Sequence, residues 1–167
     1  MAIVLVGGGV RSGKSRYALE LAQKRGPAMV FLATTPPLNV AMDARIARHR
    51  TERHSDFTTI EEPLEIADKI RNTKADAMVV DCLTVWLSNV LHSFGRDVDA
   101  EIEKLAAAAR DSAATVILVT NEVGCGIVPE SGMFDDFRDR CGLLNQRVAA
   151  VAEEVYWMVF GLPFRVK

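Results

Sequence analysis

Near the start of the chain, the stretch GGGVRSGKSR (residues 7–16) has residue types and a spacing that suit the binding of a phosphate chain. Gly8, followed after four residues by Gly13, Lys14 and Ser15, matches the pattern GxxxxGK[ST]. Glycines let successive backbone N–H groups turn towards a phosphate, the lysine reaches the outer phosphates, and the serine hydroxyl is a magnesium ligand. The alternative is a glycine-rich turn that binds nothing, but turn chemistry alone does not call for Lys14 and Ser15. We therefore predict a nucleotide site here.

A second candidate is Asp81, which ends the apolar run AMVVD (residues 77–81). A carboxylate at the carboxyl end of a strand can hold a magnesium ion directly or through water. The alternative is that Asp81 caps the helix predicted for LTVWLSNVL (residues 83–91), which is a common use of aspartate. The magnesium role is the prediction we favour.

The segment ARIARHRTERH (residues 44–54) concentrates arginine and histidine. On a helix, Arg45, His49 and Arg53 share one face, and the two guanidiniums disfavour the imidazolium form of the histidine. A neutral imidazole is a nucleophile, and nearby arginines can neutralise a triphosphate under attack. The alternative is a solvated, positively charged helix face with incidental histidines, and the residues alone do not decide between the two.

Two further polar segments are TTIEEP (residues 58–63) and TNEVGCGIVPE (residues 120–130). The first supplies a carboxylate to a base or sugar, or only caps a helix beginning at Pro63. The second is predicted to be an ordered loop on the same rim of the sheet as the phosphate loop, with Asn121 and Glu122 as its polar candidates.

The elements that must position these residues follow from the apolar pattern. Short β-branched runs alternate with amphipathic stretches of helical spacing, which predicts an α/β fold with a mainly parallel sheet and helices on both faces. Gly161 and Pro163 signal a turn, after which residues 164–166 are expected to form an antiparallel edge strand. The other predicted strands cover residues 3–6, 29–33, 77–81, 115–120 and 155–160. Residues 34–61 are expected to be the least regular region. The stretch GLLNQRVAAVAEE (residues 142–154) is predicted to be helical, and its apolar stripe is interpreted as core and not as a ligand groove.

Length and composition indicate the number of domains and exclude several classes of partner. A chain of 167 residues favours a single domain, residues 1–167. The net charge of −2 provides no basic field for nucleic acid. No apolar run is long enough to cross a bilayer and the first residues lack the features of a secretory signal, so we expect a cytoplasmic protein. Three separated cysteines, Cys82, Cys125 and Cys141, argue against a disulfide framework and a zinc site.

Taken together and in order, the motifs resemble one family. GGVRSGKSRYALELA, RIARHRTER, TIEEP, VVDCLTVWLSNVL, TNEVGCGIVPE and FRDRCGLLNQRVAAVAEEVYWMVFGLP are similar to the bifunctional adenosylcobinamide kinase/adenosylcobinamide-phosphate guanylyltransferases of cobalamin biosynthesis. The resemblance covers nearly the whole chain. The phosphate loop is shared with many NTPases, whereas NEVG.GIVPE followed by FRD..G..NQ is specific.

The resemblance implies a RecA-like P-loop NTPase fold, a homotrimer and two reactions on one phosphate loop. ATP or GTP phosphorylates adenosylcobinamide, and GTP then transfers GMP to that phosphate through a covalent GMP-histidine intermediate, for which His49 is the matching residue. Lys14 is the second catalytic candidate, and Ser15 and Asp81 are the candidate Mg²⁺ ligands. The implied nucleotide contacts are Gly8, Gly9, Val10, Arg11, Ser12, Gly13, Lys14, Ser15, Ala33, Thr34, Thr35, Arg50, Thr51, Glu52, Arg53, Glu61 and Asp81.

This sequence departs from the family at two places. Ala41 stands where members often have an acidic residue, with Asp43 following, and Arg48 stands where some have a second histidine, which leaves His49 as the nucleophile. Two other functions compete with the bifunctional enzyme. One is a small-molecule kinase in which the Arg/His segment is only a lid, and the other is a nucleotide-dependent regulatory module.

Overall fold

The computed structural model of the chain describes residues 1–35, 56–126 and 133–167. Strands and helices largely alternate along these residues, as the apolar pattern predicts, except that two helices follow the strand Ala77–Asp81 and two strands end the chain. The strands are β1 (Ile3–Gly8), β2 (Met29–Ala33), β3 (Phe57–Glu61), β4 (Ala77–Asp81), β5 (Thr115–Val119), β6 (Glu154–Val159) and β7 (Leu162–Arg165). The helices are α1 (Lys14–Gln23), α2 (Ile66–Asn72), α3 (Leu83–Leu91), α4 (Val98–Asp111) and α5 (Met133–Val151).

The strands form one sheet in the order β3-β2-β4-β5-β1-β6-β7. All neighbouring pairs are parallel except β6 and β7, which are antiparallel. The first strand in sequence therefore lies between β5 and β6. This arrangement confirms the predicted parallel sheet with an antiparallel C-terminal edge strand.

The core lies on both faces of the sheet. On one face, α2, α3, α4 and α5 pack apolar side chains such as Ile66, Leu105 and Leu144 against the strands. On the other face, α1 packs against Val4, Val6 and their neighbours. Within the described ranges, no helix is long and apolar enough to cross a membrane.

Two features of the fold differ from the expectation. Strand β3 falls in a region expected to be irregular, and it escapes the apolar pattern because it is an edge strand whose residues are only partly buried or exposed. Helix α5 begins at Met133, well before the amphipathic stretch that predicts it. Leu144 and Val148 in that stretch are fully buried, which confirms that its apolar stripe belongs to the core.

Candidate active site at the carboxyl edge of the sheet

The phosphate loop connects the end of β1 to the start of α1, and its two motif glycines are required by its geometry. Gly8 has a φ of 148°, and a Cβ there would lie 2.9 Å from both the carbonyl oxygen of Met158 and the Oγ of Ser12. Gly13 has a φ of 91° and precedes the first residue of α1. Arg11 is also left-handed, with a φ of 56°. The sequence pattern therefore marks a loop whose backbone only glycine can follow at these two points.

Lys14 is held inside this loop. Its Nζ donates a 2.5 Å hydrogen bond to the carbonyl of Gly9 and lies 3.4 Å from the Oγ of Ser12. The residue is only 7% exposed. Burial lowers the pKa of Lys14, while the negative charge of Asp81 acts to raise it. The loop thus presents one desolvated ammonium group, which suits a phosphate chain.

Asp81 is the last residue of β4 and is half-buried. It pairs with Val119 on β5, and Val119 pairs with Val6 on β1, so Asp81 lies two strands away from the strand that leads into the phosphate loop, at the same edge of the sheet. The alternative role as a helix cap is wrong, because the residue before α3 is Cys82 and that helix has no side-chain cap.

The residues present fit a magnesium ion. Ser15, in the first turn of α1, is half-buried, and Asp81 adds a carboxylate oxygen. No cluster of three or more His, Cys, Asp or Glu side chains that suits a metal occurs in residues 1–35, 56–126 and 133–167. Mg²⁺ typically takes only one or two protein oxygens and completes its shell with phosphate oxygens and water, so this sparse donor set is appropriate.

The end of β2 is fixed by Thr34, which is fully buried. Its hydroxyl accepts a hydrogen bond from the backbone N–H of Cys82 and donates one to the carbonyl of the same residue, both at 2.8 Å. Ala33 pairs with Asp81 across the ladder, and Thr35 is half-buried beyond the strand. The Thr34 side chain therefore joins the ends of β2 and β4, and its role as a nucleotide contact stays a prediction.

A second set of hydrogen bonds joins the end of β2 to the segment that follows β3. The Nδ2 of Asn89 donates to the carbonyl of Thr34 at 2.8 Å and to that of Pro63 at 3.0 Å. The indole N–H of Trp86 donates to the carbonyl of Leu64 at 2.9 Å. Sequence reasoning missed both roles, because they depend on side chains of α3 meeting backbone groups far away in the chain.

The two glutamates of TTIEEP have different positions. Glu61 ends β3, pairs with Ala33 and is exposed at the rim. Glu62 accepts hydrogen bonds from the backbone N–H groups of Leu64 and Glu65, both at 3.0 Å. Glu62 therefore shapes the turn before α2, and Glu61 places a carboxylate at the rim.

The loop after β5 lies on the predicted rim and contacts the phosphate loop directly. The backbone N–H of Glu122 donates to the carbonyl of Gly8 at 3.1 Å. The carboxylate of Glu122 accepts from the backbone N–H groups of Gly124 and Cys125, so it closes its own loop. Asn121 is half-buried, and its backbone N–H donates to the hydroxyl of Thr84.

Buried polar side chains support this loop from below. The hydroxyl of Thr120 donates a 2.7 Å hydrogen bond to the Oδ1 of Asn145 on α5 and lies 3.5 Å from the hydroxyl of Thr84. Thr84, Thr120 and Asn145 were not singled out from the sequence as site residues. The only signal was the polar Asn145 within an otherwise apolar helical stripe.

The predicted nucleophile, His49, lies outside the described residues, as do Arg50, Thr51, Glu52 and Arg53. The same holds for Ala41, Asp43, Arg45, Arg48 and His54. Their roles stay predictions. The three cysteines are all free, as expected, and burial raises the pKa of Cys82 to about 11, so this thiol is protonated at neutral pH.

Comparison with known proteins adds a family to this geometry. A family model described as cobinamide kinase / cobinamide phosphate guanyltransferase matches residues 4–166. The bifunctional adenosylcobalamin biosynthesis protein CobU of Salmonella typhimurium is 38% identical, with 99% of each chain covered. The bifunctional adenosylcobalamin biosynthesis protein CobP of Pseudomonas aeruginosa is 40% identical, with 98% of this chain and 96% of that protein covered.

Solved structures agree on the fold alone. The flagellar accessory protein FlaH of Methanocaldococcus jannaschii has a TM-score of 0.57 at 13% identity, covering 99% of this chain and 78% of that one. The RadB recombinase has a TM-score of 0.53 at 15% identity, covering 93% and 73%. The predicted RecA-like P-loop architecture is thereby confirmed.

Proposed function

Because the chain belongs to the cobinamide kinase / cobinamide phosphate guanyltransferase family, we propose that both activities of the family run on the single phosphate loop described above. The chain is a bifunctional adenosylcobinamide kinase and adenosylcobinamide-phosphate guanylyltransferase. The position of Lys14 is the observation that supports one loop for both reactions. Its buried ammonium lies inside the loop, and the negative charge of Asp81, at the end of β4, acts on it.

In the kinase step, an acceptor hydroxyl attacks the γ-phosphorus of ATP or GTP. A new P–O bond forms, the bond to the β,γ-bridging oxygen breaks, the nucleoside diphosphate leaves, and the hydroxyl proton passes to solvent. The loop N–H groups and Lys14 hold the phosphate oxygens in line. Ser15 and Asp81 are the residues that would hold a magnesium ion, which neutralises charge on the β- and γ-phosphates when bound.

In the transferase step, we propose that His49 attacks the α-phosphorus of GTP. A P–N bond to the imidazole forms, and pyrophosphate leaves from the phosphate loop. An oxygen of adenosylcobinamide phosphate then attacks the same phosphorus, which releases His49 and completes GMP transfer. A covalent intermediate lets one site serve two acceptors in turn.

The strand order supports the nucleotide contacts implied for this step. Neighbouring strands are about 4.8 Å apart, so the ends of β2 and β3 lie about 14 and about 19 Å from the phosphate-loop strand. A GTP with its outer phosphates on the loop can therefore carry its base towards Thr35 and Glu61. Thr34 has its polar groups engaged with Cys82 and Asn89, so it contributes by fixing Ala33 and Thr35.

One experiment tests the covalent step. The protein is mixed with Mg²⁺ and GTP labelled at the α-phosphate, without acceptor, and denatured. We expect retained label that is acid-labile and alkali-stable, absent from His49→Ala and present in the control His92→Ala, whose exposed ring lies at the end of α3. Absence of label from wild-type protein that binds GTP would contradict the histidine mechanism.

The same variants separate the two activities. With GTP labelled at the γ-phosphate and adenosylcobinamide as acceptor, His49→Ala should still transfer label. Loss of both activities in His49→Ala would instead give the histidine a role in binding.

We also propose that the enzyme is a homotrimer that acts in the cytoplasm on small molecules and not on nucleic acid. The family resemblance supports the trimer, and the net charge of −2 agrees with small-molecule substrates. Sedimentation at several protein concentrations tests the trimer, and a stable monomer would contradict it.

A further inference from the structure

The turn between β6 and β7 has an unusual residue. The two strands are joined by Phe160 and Gly161, whose φ angles are 52° and 83°. Positive φ at both central positions is the geometry of a type I′ hairpin turn, which favours Asn, Asp or Gly at the first position. A phenylalanine there is strained, because its Cβ crowds the backbone. Local strain of this kind concentrates at functional sites.

This turn lies against the phosphate loop. Met158 pairs with Gly8 across the ladder. The Cα of Gly161 is 3.4 Å from the position that a Cβ on Gly13 would take, and the Nη2 of Arg16 is 3.6 Å from the corresponding position on Gly161. The hairpin therefore borders the loop on the side opposite β2 and β3.

The side chains beside the loop at this border are apolar and exposed. Phe160 is 97% exposed, and Val10, at the tip of the phosphate loop, is 80% exposed. Within the described ranges, the aromatic pair that forms a ring contact is Tyr17 with Tyr156, and Phe160 takes no part in it. A strained turn that lies against the phosphate loop and Arg16 thus holds an aromatic ring in solvent.

We propose that Phe160 is a stacking surface for the base of the purine nucleoside triphosphate that donates the phosphoryl group, with Arg16 beside its sugar and α-phosphate. The inference rests on the proposed function, in which the kinase and transferase steps share one loop. Purine bases stack on aromatic side chains and on arginine whatever their exocyclic groups, so ATP and GTP both fit this surface.

The two reactions then use opposite directions across the same loop. A nucleotide whose base lies on Phe160 has its α-phosphate near Arg16 and its γ-phosphate towards the ends of β4 and β5, where Asp81 and Asn121 stand at the rim. A GTP whose base points towards β2 and β3 instead has its β- and γ-phosphates on the loop. Its α-phosphate then lies between the loop and the ends of those strands. Each direction exposes the phosphate that its reaction must transfer.

The decisive variant is Phe160→Asn. Asn-Gly is a preferred type I′ turn, so this variant should keep or raise the melting temperature while removing the ring. The control is Phe94→Asn, which removes a ring that is equally exposed in the loop after α3. Calorimetry in the presence of Mg²⁺ compares ATP, GTP and inorganic tripolyphosphate on both variants and the wild type.

For Phe160→Asn we expect roughly tenfold weaker ATP binding and a similar rise in the kinase KM, with tripolyphosphate affinity unchanged. GMP labelling from GTP without acceptor should also be unchanged. Phe94→Asn should match the wild type in every measurement.

Three results would overturn the proposal. The first is equal ATP affinity in Phe160→Asn and Phe94→Asn. The second is a loss of tripolyphosphate affinity in Phe160→Asn as large as its loss of ATP affinity. The third is a changed sedimentation coefficient of Phe160→Asn, which would assign the ring to a contact between copies of the chain. Failure of the proposed function looks different. The wild-type protein itself would then show no phosphorylation or no labelling, whatever residue stands at position 160.

Discussion

The ammonium of Lys14 donates a hydrogen bond to the carbonyl of Gly9, in the loop that immediately precedes it. The lysine is therefore placed for its ligand by the loop itself, at a carbonyl that also accepts from the backbone N–H of Ser12. Holding a charged group in its working position before the ligand arrives lowers the entropy lost on binding.

The depressed pKa of Lys14 predicts an unusual pH dependence. Burial lowers this pKa, and the charged form is the one that attracts phosphate, so binding should weaken as pH rises, beginning below the range of a solvent-exposed lysine. Tripolyphosphate affinity measured from about pH 7 to about pH 10 should fall for the wild type. Lys14→Arg should bind more weakly at neutral pH but stay nearly flat, because guanidinium remains charged. Parallel curves for the two proteins would contradict the prediction.

Gly8 and Gly9 form a matched pair for testing the loop. A Cβ at Gly8 meets the carbonyl of Met158 and lies on a left-handed backbone, whereas a Cβ at Gly9 meets nothing within 4 Å. Gly8→Ala should lower the free energy of unfolding by about 1–3 kcal/mol and abolish nucleotide binding. Gly9→Ala should stay within about 0.5 kcal/mol of the wild type in urea unfolding. Equal effects of the two substitutions would show that the strain is not where the structure places it.

Replacing Asn89 is expected to lower the free energy of unfolding and to weaken GTP binding in the transferase step. In Asn89→Ala, the carbonyls of Thr34 and Pro63 lose their shared donor, at a cost of about 1–3 kcal/mol in the free energy of unfolding. The freed ends of β2 and β3 should raise the KM for GTP in GMP labelling more than the KM for ATP in phosphorylation. Asn72→Ala, at the exposed end of α2, is the control. If Asn89→Ala were as stable as this control, the two hydrogen bonds of Asn89 would not contribute to stability.

The strands that were predicted to the residue are β2 and β4, both buried along nearly their whole length, where apolar character and strand coincide. β3 lies at the sheet edge with exposed threonines, so no apolar run marks it. At the site, the phosphate loop was predictable because its chemistry is fixed by adjacent residues. Asn89 and Asn145 were not, because each acts on a backbone or hydroxyl group that only the tertiary fold brings near.

The hydrogen bonds of Glu154, on β6, are expected to make the free energy of unfolding depend on pH. Its carboxylate accepts 2.7 Å hydrogen bonds from the hydroxyl of Tyr156 and the guanidinium of Arg25, which lower its pKa below the ordinary 4.5. The resulting stability is present above that ordinary value and is lost as pH falls through the lower, folded-state value. Glu154→Gln should cost about 1–2 kcal/mol in urea unfolding at neutral pH, and the difference from the wild type should close in acid.

Glu20→Gln is the control for this measurement, because Glu20 meets Arg16 only at 3.8 Å and is 52% exposed. Its effect should stay within about 0.5 kcal/mol. A pH-independent gap between wild type and Glu154→Gln would show that packing and not ionisation accounts for the loss.

The position of β1 between β5 and β6 has a consequence for synthesis of the protein. The phosphate loop is translated about a hundred residues or more before its anchoring strand can pair, because that strand pairs with residues 116–119 and 154–158. A growing chain on the ribosome therefore carries its phosphate-binding residues long before it can hold them in place. We therefore expect nucleotide to stabilise only late folding intermediates, in which β1 already lies between β5 and β6.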